Sequence, residues 1–143
     1  MPGNADEYDF EKITPMASSP LAGKTVLFLG SSVTNGAAAL HQSIPEYFAA
    51  RMGCTAIKEA VDGTTLCDIG KTSYLQRLKA NIDPATKVDL LVCQLSTNDA
   101  SKEMPLGDFG DDASPITGAM ETLISCGKER GNCPVGFYSA ARV

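Results

Sequence analysis

VLFLGSSVTNGAAA, residues 26–39, runs four apolar residues into a glycine, two serines and a loop of small residues. The stretch 24–30, KTVLFLG, is short, continuous and rich in β-formers, and Gly30 closes it, which predicts a strand buried on both faces. Such a strand belongs to a parallel sheet covered by helices, so these residues decide the fold class. They also pose a chemical question. From its neighbours alone, Ser32 reads as a nucleophile, a phosphate ligand or a turn residue.

The same alternation continues outward from that strand. In HQSIPEYFAARMG (41–53), Ile44, Phe48 and Met52 recur at four-residue spacing. Ser43 is placed as N-cap, Pro45 falls in the first turn, Glu46 has the capping-box spacing and Gly53 ends the helix. CTAIKEAV (54–61) is a second, weaker strand, and SYLQRLKANI (73–82) a helix with Leu75, Leu78 and Ile82 on one face. KVDLLVCQLS (87–96) is the third and most apolar strand. A helix over 114–131 starts at Ser114 and Pro115, stacks Ile116, Met120, Leu123 and Ile124, and ends at Gly131; CPVGFYSAA (133–141) is a fourth strand. Strands alternating with helices predict an α/β fold, a flavodoxin-like three-layer αβα architecture with a doubly wound parallel sheet. Residues 1–22, with Pro2, Pro15 and Pro20 and no sustained period, read as an N-terminal arm laid over the surface, leaving 23–143 as one domain.

Composition narrows the function classes. The chain has 143 residues, 43% of them hydrophobic, enough for a single core. A net charge of −5 and a pI near 4.7 leave no basic surface for nucleic acid or anionic membrane, so neither is an expected partner. The N-terminal MPGNADEYDFEK lacks the cationic end and apolar run of a secretory signal, and no segment approaches transmembrane length; the expected location is cytoplasmic. Cys54, Cys67, Cys93, Cys126 and Cys133 are odd in number and widely spaced without a C-x-x-C, which argues against a disulfide framework or a zinc site. Cys93, inside LLVCQL, reads as a small buried hydrophobe. GDFGDD (107–112) reads as a surface loop, since no bidentate Glu follows at the calcium-loop spacing.

In doubly wound sheets, ligands sit outside the carboxyl ends of the strands. Three loops occupy those ends: GSSVTNGAAA (30–39), DGTTLCDIG (62–70) and STNDASKE (96–103). A serine attacks an acyl carbon usefully only when one group takes its proton and another receives the oxyanion. Ser32 can offer its own N–H, Gly63 an N–H unhindered by a side chain, and Asn98 its carboxamide, so one donor comes from each loop. Asp62, Asp68 and Asp99 read as solvated loop charges, with Asp99 fixing its own loop. Thr34 and Asn35 either line a pocket or make the turn, and Tyr74 and Met120 fall within helical packing periodicity. A flavin- or nucleotide-binding module competes with this reading, because SSVTNG can wrap a phosphate. That module gives no role to Gly63 or Asn98, and the chain has no Trp to stack on a flavin ring.

Taken together, FLGSSVTNG, EAVDGTTL and LSTNDAS resemble the three ordered blocks of the SGNH hydrolases, also called GDSL-type esterases and lipases. The resemblance spans about residues 22–141. It implies Ser32 as nucleophile and oxyanion N–H, Gly63 and Asn98 as oxyanion donors, and hydrolysis of a carboxylic ester through an acyl-serine. The implied substrate is a small or carbohydrate-linked ester, with no metal or organic cofactor. Ser31 stands where the family's block has Asp, and Ser96 where it has Gly. The family's Asp-x-x-His, which follows a fifth strand, has no counterpart before Val143. The one histidine, His41, lies nine residues after Ser32 and reads as an exposed loop or helix-start residue. The resemblance therefore predicts a domain lacking its last strand and helix, with PVGFY left as an edge open to self-association. It also leaves a non-catalytic, hydrolase-like binding scaffold as an alternative.

Overall fold

Along the first strand, β1 (Thr25–Gly30), successive side chains point to opposite faces, and both faces are covered. Leu27 and Leu29 join one core cluster, whereas Val26 and Phe28 join another. This is the physical meaning of a continuous apolar run, and the computed structural model, which describes residues 6–139, shows its consequence. Four parallel strands form one sheet in the order β2-β1-β3-β4, with β2 at Thr55–Ala60, β3 at Leu90–Leu95 and β4 at Val135–Ser139. This is the doubly wound α/β arrangement expected from the sequence. The expectation that the fourth strand runs to residue 141 extends outside the described residues.

Among the described residues, five α-helices accompany the strands: α1 (Ser32–Asn35), α2 (Ile44–Met52), α3 (Tyr74–Asn81), α4 (Thr97–Ser101) and α5 (Ile116–Glu129). Phe48, Ala49 and Met52 of α2 pack on the Val26 and Phe28 face, where the rings of Phe28 and Phe48 meet edge to face at 5.6 Å. The larger cluster on the other face takes Leu75 and Leu78 from α3 and Ala119 and Leu123 from α5. The Ser43 N–H donates to the Glu46 carboxylate at 2.8 Å, within the expected capping box between Ser43 and Glu46. Ahead of β1, Phe10 stacks edge to face on Tyr47 at 5.9 Å and the Met16 N–H donates to the Arg51 carbonyl at 2.8 Å, which lays the arm along α2.

Several local expectations change. The stretches after β1 and β3, read as loops, contain the short helices α1 and α4, whose four and five residues are too few to display a period. The last helix is capped by Pro115 rather than started by Ser114, and Ile124 is exposed while Leu123 is buried. All five cysteines are free thiols. Among the described residues, no helix is long and apolar enough to cross a membrane.

Candidate active site

The chain leaves β1 toward β2 on one side, and β3 lies on the other, so the carboxyl ends of β1 and β3 flank the point where the winding reverses. A crevice forms at such a point because the connections diverge from it. Ser32 opens α1 directly beyond β1, and Asn98 lies in α4 directly beyond β3. Gly63 follows β2, the neighbour of β1. Ser32 is half-buried and lines an open depression with Val33, Gly36, Ala37, Ala38 and Ala39. Its hydroxyl and its N–H make no hydrogen bond among the described residues, and neither does the N–H of Val33.

Beneath Ser32 lies a residue that no motif signalled. Gln94 follows Cys93, the partner of Leu29 in the β1–β3 register, so its side chain reaches the loop that leaves β1. It is fully buried. Its Oε1 accepts from the Ser31 N–H at 3.2 Å, the Thr34 N–H at 3.1 Å and the Thr34 hydroxyl at 2.6 Å, while its Nε2 donates to the Ser31 hydroxyl at 3.1 Å. Thr34 Oγ1 also lies 2.6 Å from the Tyr138 hydroxyl on β4. Thr34 is thus a buried structural residue rather than a pocket wall.

The second loop is tied to both of its neighbours. Asn35 donates through Nδ2 to Asp62 at 2.8 Å, joining the Ser32 loop to the residue before Gly63. Gly63 itself is exposed, with φ 74° and open space where a Cβ would project. The next carbonyl, of Thr64, accepts from Asn98 Nδ2 at 2.8 Å and from the Ser96 hydroxyl at 3.1 Å. A carboxamide nitrogen carries two N–H groups, so Asn98 keeps a second one free of any partner among the described residues. Ser96 also caps α4 by accepting the Asn98 N–H at 3.0 Å.

Asp99 overturns its expectation. It is 3% exposed rather than solvated, and it fixes the neighbouring loop rather than its own. One carboxylate oxygen accepts the Leu66 N–H and the other the Cys67 N–H, each at 2.9 Å. Asp68 and Asp62 are likewise engaged, Asp68 by Gln76 Nε2 at 2.9 Å. A second unsignalled residue, Arg77 of α3, is 5% exposed. It donates to Glu59 at 2.7 Å, to the Gly30 carbonyl at 2.8 Å, to the Thr72 carbonyl at 3.0 Å and to Thr64 Oγ1 at 3.3 Å. One guanidinium therefore spans the ends of β1 and β2 and the loop bearing Gly63.

The other reactive groups nearby are poorly placed for attack. Burial pushes the Cys67 thiol up to about 12, with the adjacent Asp99 carboxylate adding to the shift. The Tyr74 hydroxyl is buried with no hydrogen-bond partner among the described residues, and burial raises its pKa while the nearby Ser31 and Ser96 hydroxyls oppose the shift. His41 is exposed at φ 59°, its N–H bonded to the Gly36 carbonyl at 3.0 Å and its carbonyl to Lys58 Nζ at 2.9 Å. Among the described residues, no three His, Cys, Asp or Glu side chains form a metal-ligating group.

No protein-family model and no curated protein matches the chain. Solved structures do match it. A Lactobacillus plantarum protein aligns with TM-score 0.67 and 22% identity, over 85% of this chain and 58% of its own. A Bacteroides ovatus protein described as a GDSL-like lipase aligns with TM-score 0.65 and 16% identity, over 85% of this chain and 75% of its own. An Agrobacterium tumefaciens protein described as an arylesterase aligns with TM-score 0.55 and 24% identity, over 80% of this chain and 62% of its own. At these identities the likeness is one of fold. The chain spans less than two thirds of the first and third of these relatives.

Proposed function

We propose that this chain, whose fold is that of GDSL-like hydrolases, carries the nucleophile and oxyanion donors of a serine esterase acting on a small or carbohydrate-linked carboxylic ester. The observation that carries the reading is the Asn98 carboxamide. By donating to Thr64 at 2.8 Å it places its remaining N–H beside the Gly63 loop, at the strand end next to the one that presents Ser32.

In the proposed reaction, Ser32 Oγ attacks the acyl carbon and the carbonyl electron pair moves onto its oxygen. That oxyanion accepts from the N–H groups of Ser32 and Gly63 and from Asn98 Nδ2. Preorganised donors stabilise this charge more than bulk water does, because they need not reorient as it develops. Collapse of the intermediate breaks the bond to the alcohol and leaves acyl-Ser32, which water then cleaves by the same route. The Oγ proton passes to a general base and from it to the departing alcohol oxygen. No described residue is bonded to the Ser32 hydroxyl in that role.

Hydrolysis of p-nitrophenyl acetate by wild type, Ser32→Ala and His41→Ala tests the reading. Release of p-nitrophenol above background in wild type, lost in Ser32→Ala and kept in His41→Ala, supports it. Loss in both variants assigns His41 as the base. A folded wild type no faster than Ser32→Ala overturns hydrolysis by this chain. In that event the alternative is a scaffold that binds the ester without cleaving it, and calorimetric titration with a non-hydrolysed ester detects such binding.

A further inference from the structure

We propose that Gln94 is a positioning residue for Ser32, a carboxamide on β3 that replaces the missing N-cap of α1 and sets how the turn presents the nucleophile. The proposal rests on the reading of Ser32 as nucleophile.

The first N–H groups of a helix lack intrahelical acceptors, and the N-cap side chain ordinarily takes the one at the second or third position. In α1 the N-cap, Ser31, makes no such bond. Its hydroxyl instead accepts from Gln94 Nε2 at 3.1 Å, and Gln94 Oε1 takes the Thr34 N–H at 3.1 Å. The orientation of the carboxamide is fixed by chemistry. Two backbone N–H groups, from Ser31 and Thr34, converge on one terminal atom, which must be the oxygen. The Thr34 hydroxyl donates to that oxygen too, so it accepts from Tyr138.

The consequence is selective. The carboxamide grips the residues at both ends of the turn, Ser31 and Thr34, and leaves the N–H groups of Ser32 and Val33 between them unengaged among the described residues. A local cap moves with its own loop, whereas a cap from the middle of the sheet ties the turn to the strand that also leads to Asn98. Burial strengthens the tie because water cannot substitute for either partner. Gly30 completes the arrangement, since a Cβ there would lie 1.8 Å from Thr34 Oγ1 and 3.0 Å from Gln94 Oε1.

The test uses the full chain with Gln94→Leu, Thr34→Val and Ser32→Ala, read by p-nitrophenyl acetate kinetics and by amide hydrogen exchange. Displacing a nucleophile by about 1 Å can cost about 100-fold in rate. Gln94→Leu is therefore expected to lower the Ser32-dependent kcat about 10- to 100-fold with KM within twofold of wild type. The Ser31 and Thr34 N–H groups should exchange at least about tenfold faster, while the Leu91 and Val92 amides of β3 stay protected. Should Gln94→Leu fail to fold, Thr34→Val carries the test with a kcat loss of about 3- to 10-fold, because it removes one of the three donors to Oε1. A kcat unchanged in the folded variant overturns the proposal, as does a kcat loss accompanied by a KM raised more than about twofold or by lost protection at the Leu91 and Val92 amides. A wild type no faster than Ser32→Ala defeats the catalytic reading instead. The exchange rates at Ser31 and Thr34 then still decide whether Gln94 holds the turn, and unchanged protection there overturns it.

Discussion

The carboxylate of Asp99 divides its two oxygens between consecutive backbone N–H groups, those of Leu66 and Cys67, each at 2.9 Å. The residue after the candidate oxyanion asparagine thereby anchors the loop that carries the candidate oxyanion glycine. Asp99→Asn keeps one acceptor and turns an NH₂ toward the other donor. A buried donor left unsatisfied costs about 1–3 kcal/mol, so the unfolding midpoint in urea should fall with an unchanged m-value. A midpoint equal to wild type would show that the loop holds without the bond.

Asn98→Ala removes a side chain whose Nδ2 both secures Thr64 and keeps a second N–H without a partner among the described residues. If that N–H serves an oxyanion, the Ser32-dependent kcat should drop about 10²- to 10³-fold. A loss below about threefold would leave Asn98 as a loop anchor alone, on the scale set by deleting an oxyanion donor elsewhere.

Arg77→Met removes the cation from the Glu59 carboxylate, 2.7 Å away, and the donor from the Gly30 carbonyl, 2.8 Å away. Both partner side chains are largely withdrawn from solvent, with exposures of 6% and 15%. Breaking such a pair from one side costs about 3–5 kcal/mol because the remaining charge stays buried. Adding Glu59→Gln to Arg77→Met should restore part of that loss, and equal stability of the single and double variants would refute the coupling.

Gly30→Ala and Gly63→Ala separate two reasons for glycine. At Gly30 the new Cβ would fall 1.8 Å from Thr34 Oγ1 and must displace the buried network. At Gly63 nothing lies within 4 Å of it, but φ is 74°. The first substitution should cost about 1–3 kcal/mol or more from overpacking, and the second about 1–2 kcal/mol from left-handed backbone strain. Gly63→Asn should recover much of the second cost, since Asn tolerates that conformation, whereas Gly30→Asn should not. Thermal unfolding of the four variants distinguishes the mechanisms.

Alkaline pH should unfold the protein through its thiols. Burial raises all five above their ordinary 9.0, Cys67 to about 12. Above about pH 9 the unfolded chain loses thiol protons that the folded chain keeps, so the folded state binds more protons and stability falls as pH rises. Below that pH these groups add no pH dependence. The Tm should therefore decline between pH 9 and 10.5, and a decline undiminished in Cys93→Ala with Cys67→Ser would assign it to other groups.

Much of the architecture was legible because it depends on local rules. The apolar runs of β1 and β3, the Leu75 and Leu78 face of α3 and the Ser43 to Glu46 spacing each express a constraint that acts within a few residues. The order of elements then put Ser32, Gly63 and Asn98 at three successive strand ends. The short helices α1 and α4 were not legible, since a single turn has no period to read. Ile124 is exposed and Leu123 buried because neighbouring apolar residues on a helix both fit its apolar stripe in sequence, and only packing chooses between them.

By itself, then, the sequence determined the layered α/β sheet and the positions along it from which Ser32, Gly63 and Asn98 project, because hydrophobic period and turn chemistry are encoded residue by residue. Only the tertiary structure decided that Gln94 would grip Ser31 and Thr34, that Arg77 would reach Gly30, and that Asp99 would hold Leu66 and Cys67. These partners are far apart along the chain, and each side chain reads as an ordinary polar residue in its own neighbourhood. Sheet register brings them together, and burial, by removing water as a competitor, turns their contacts into the frame that holds the three loops in place.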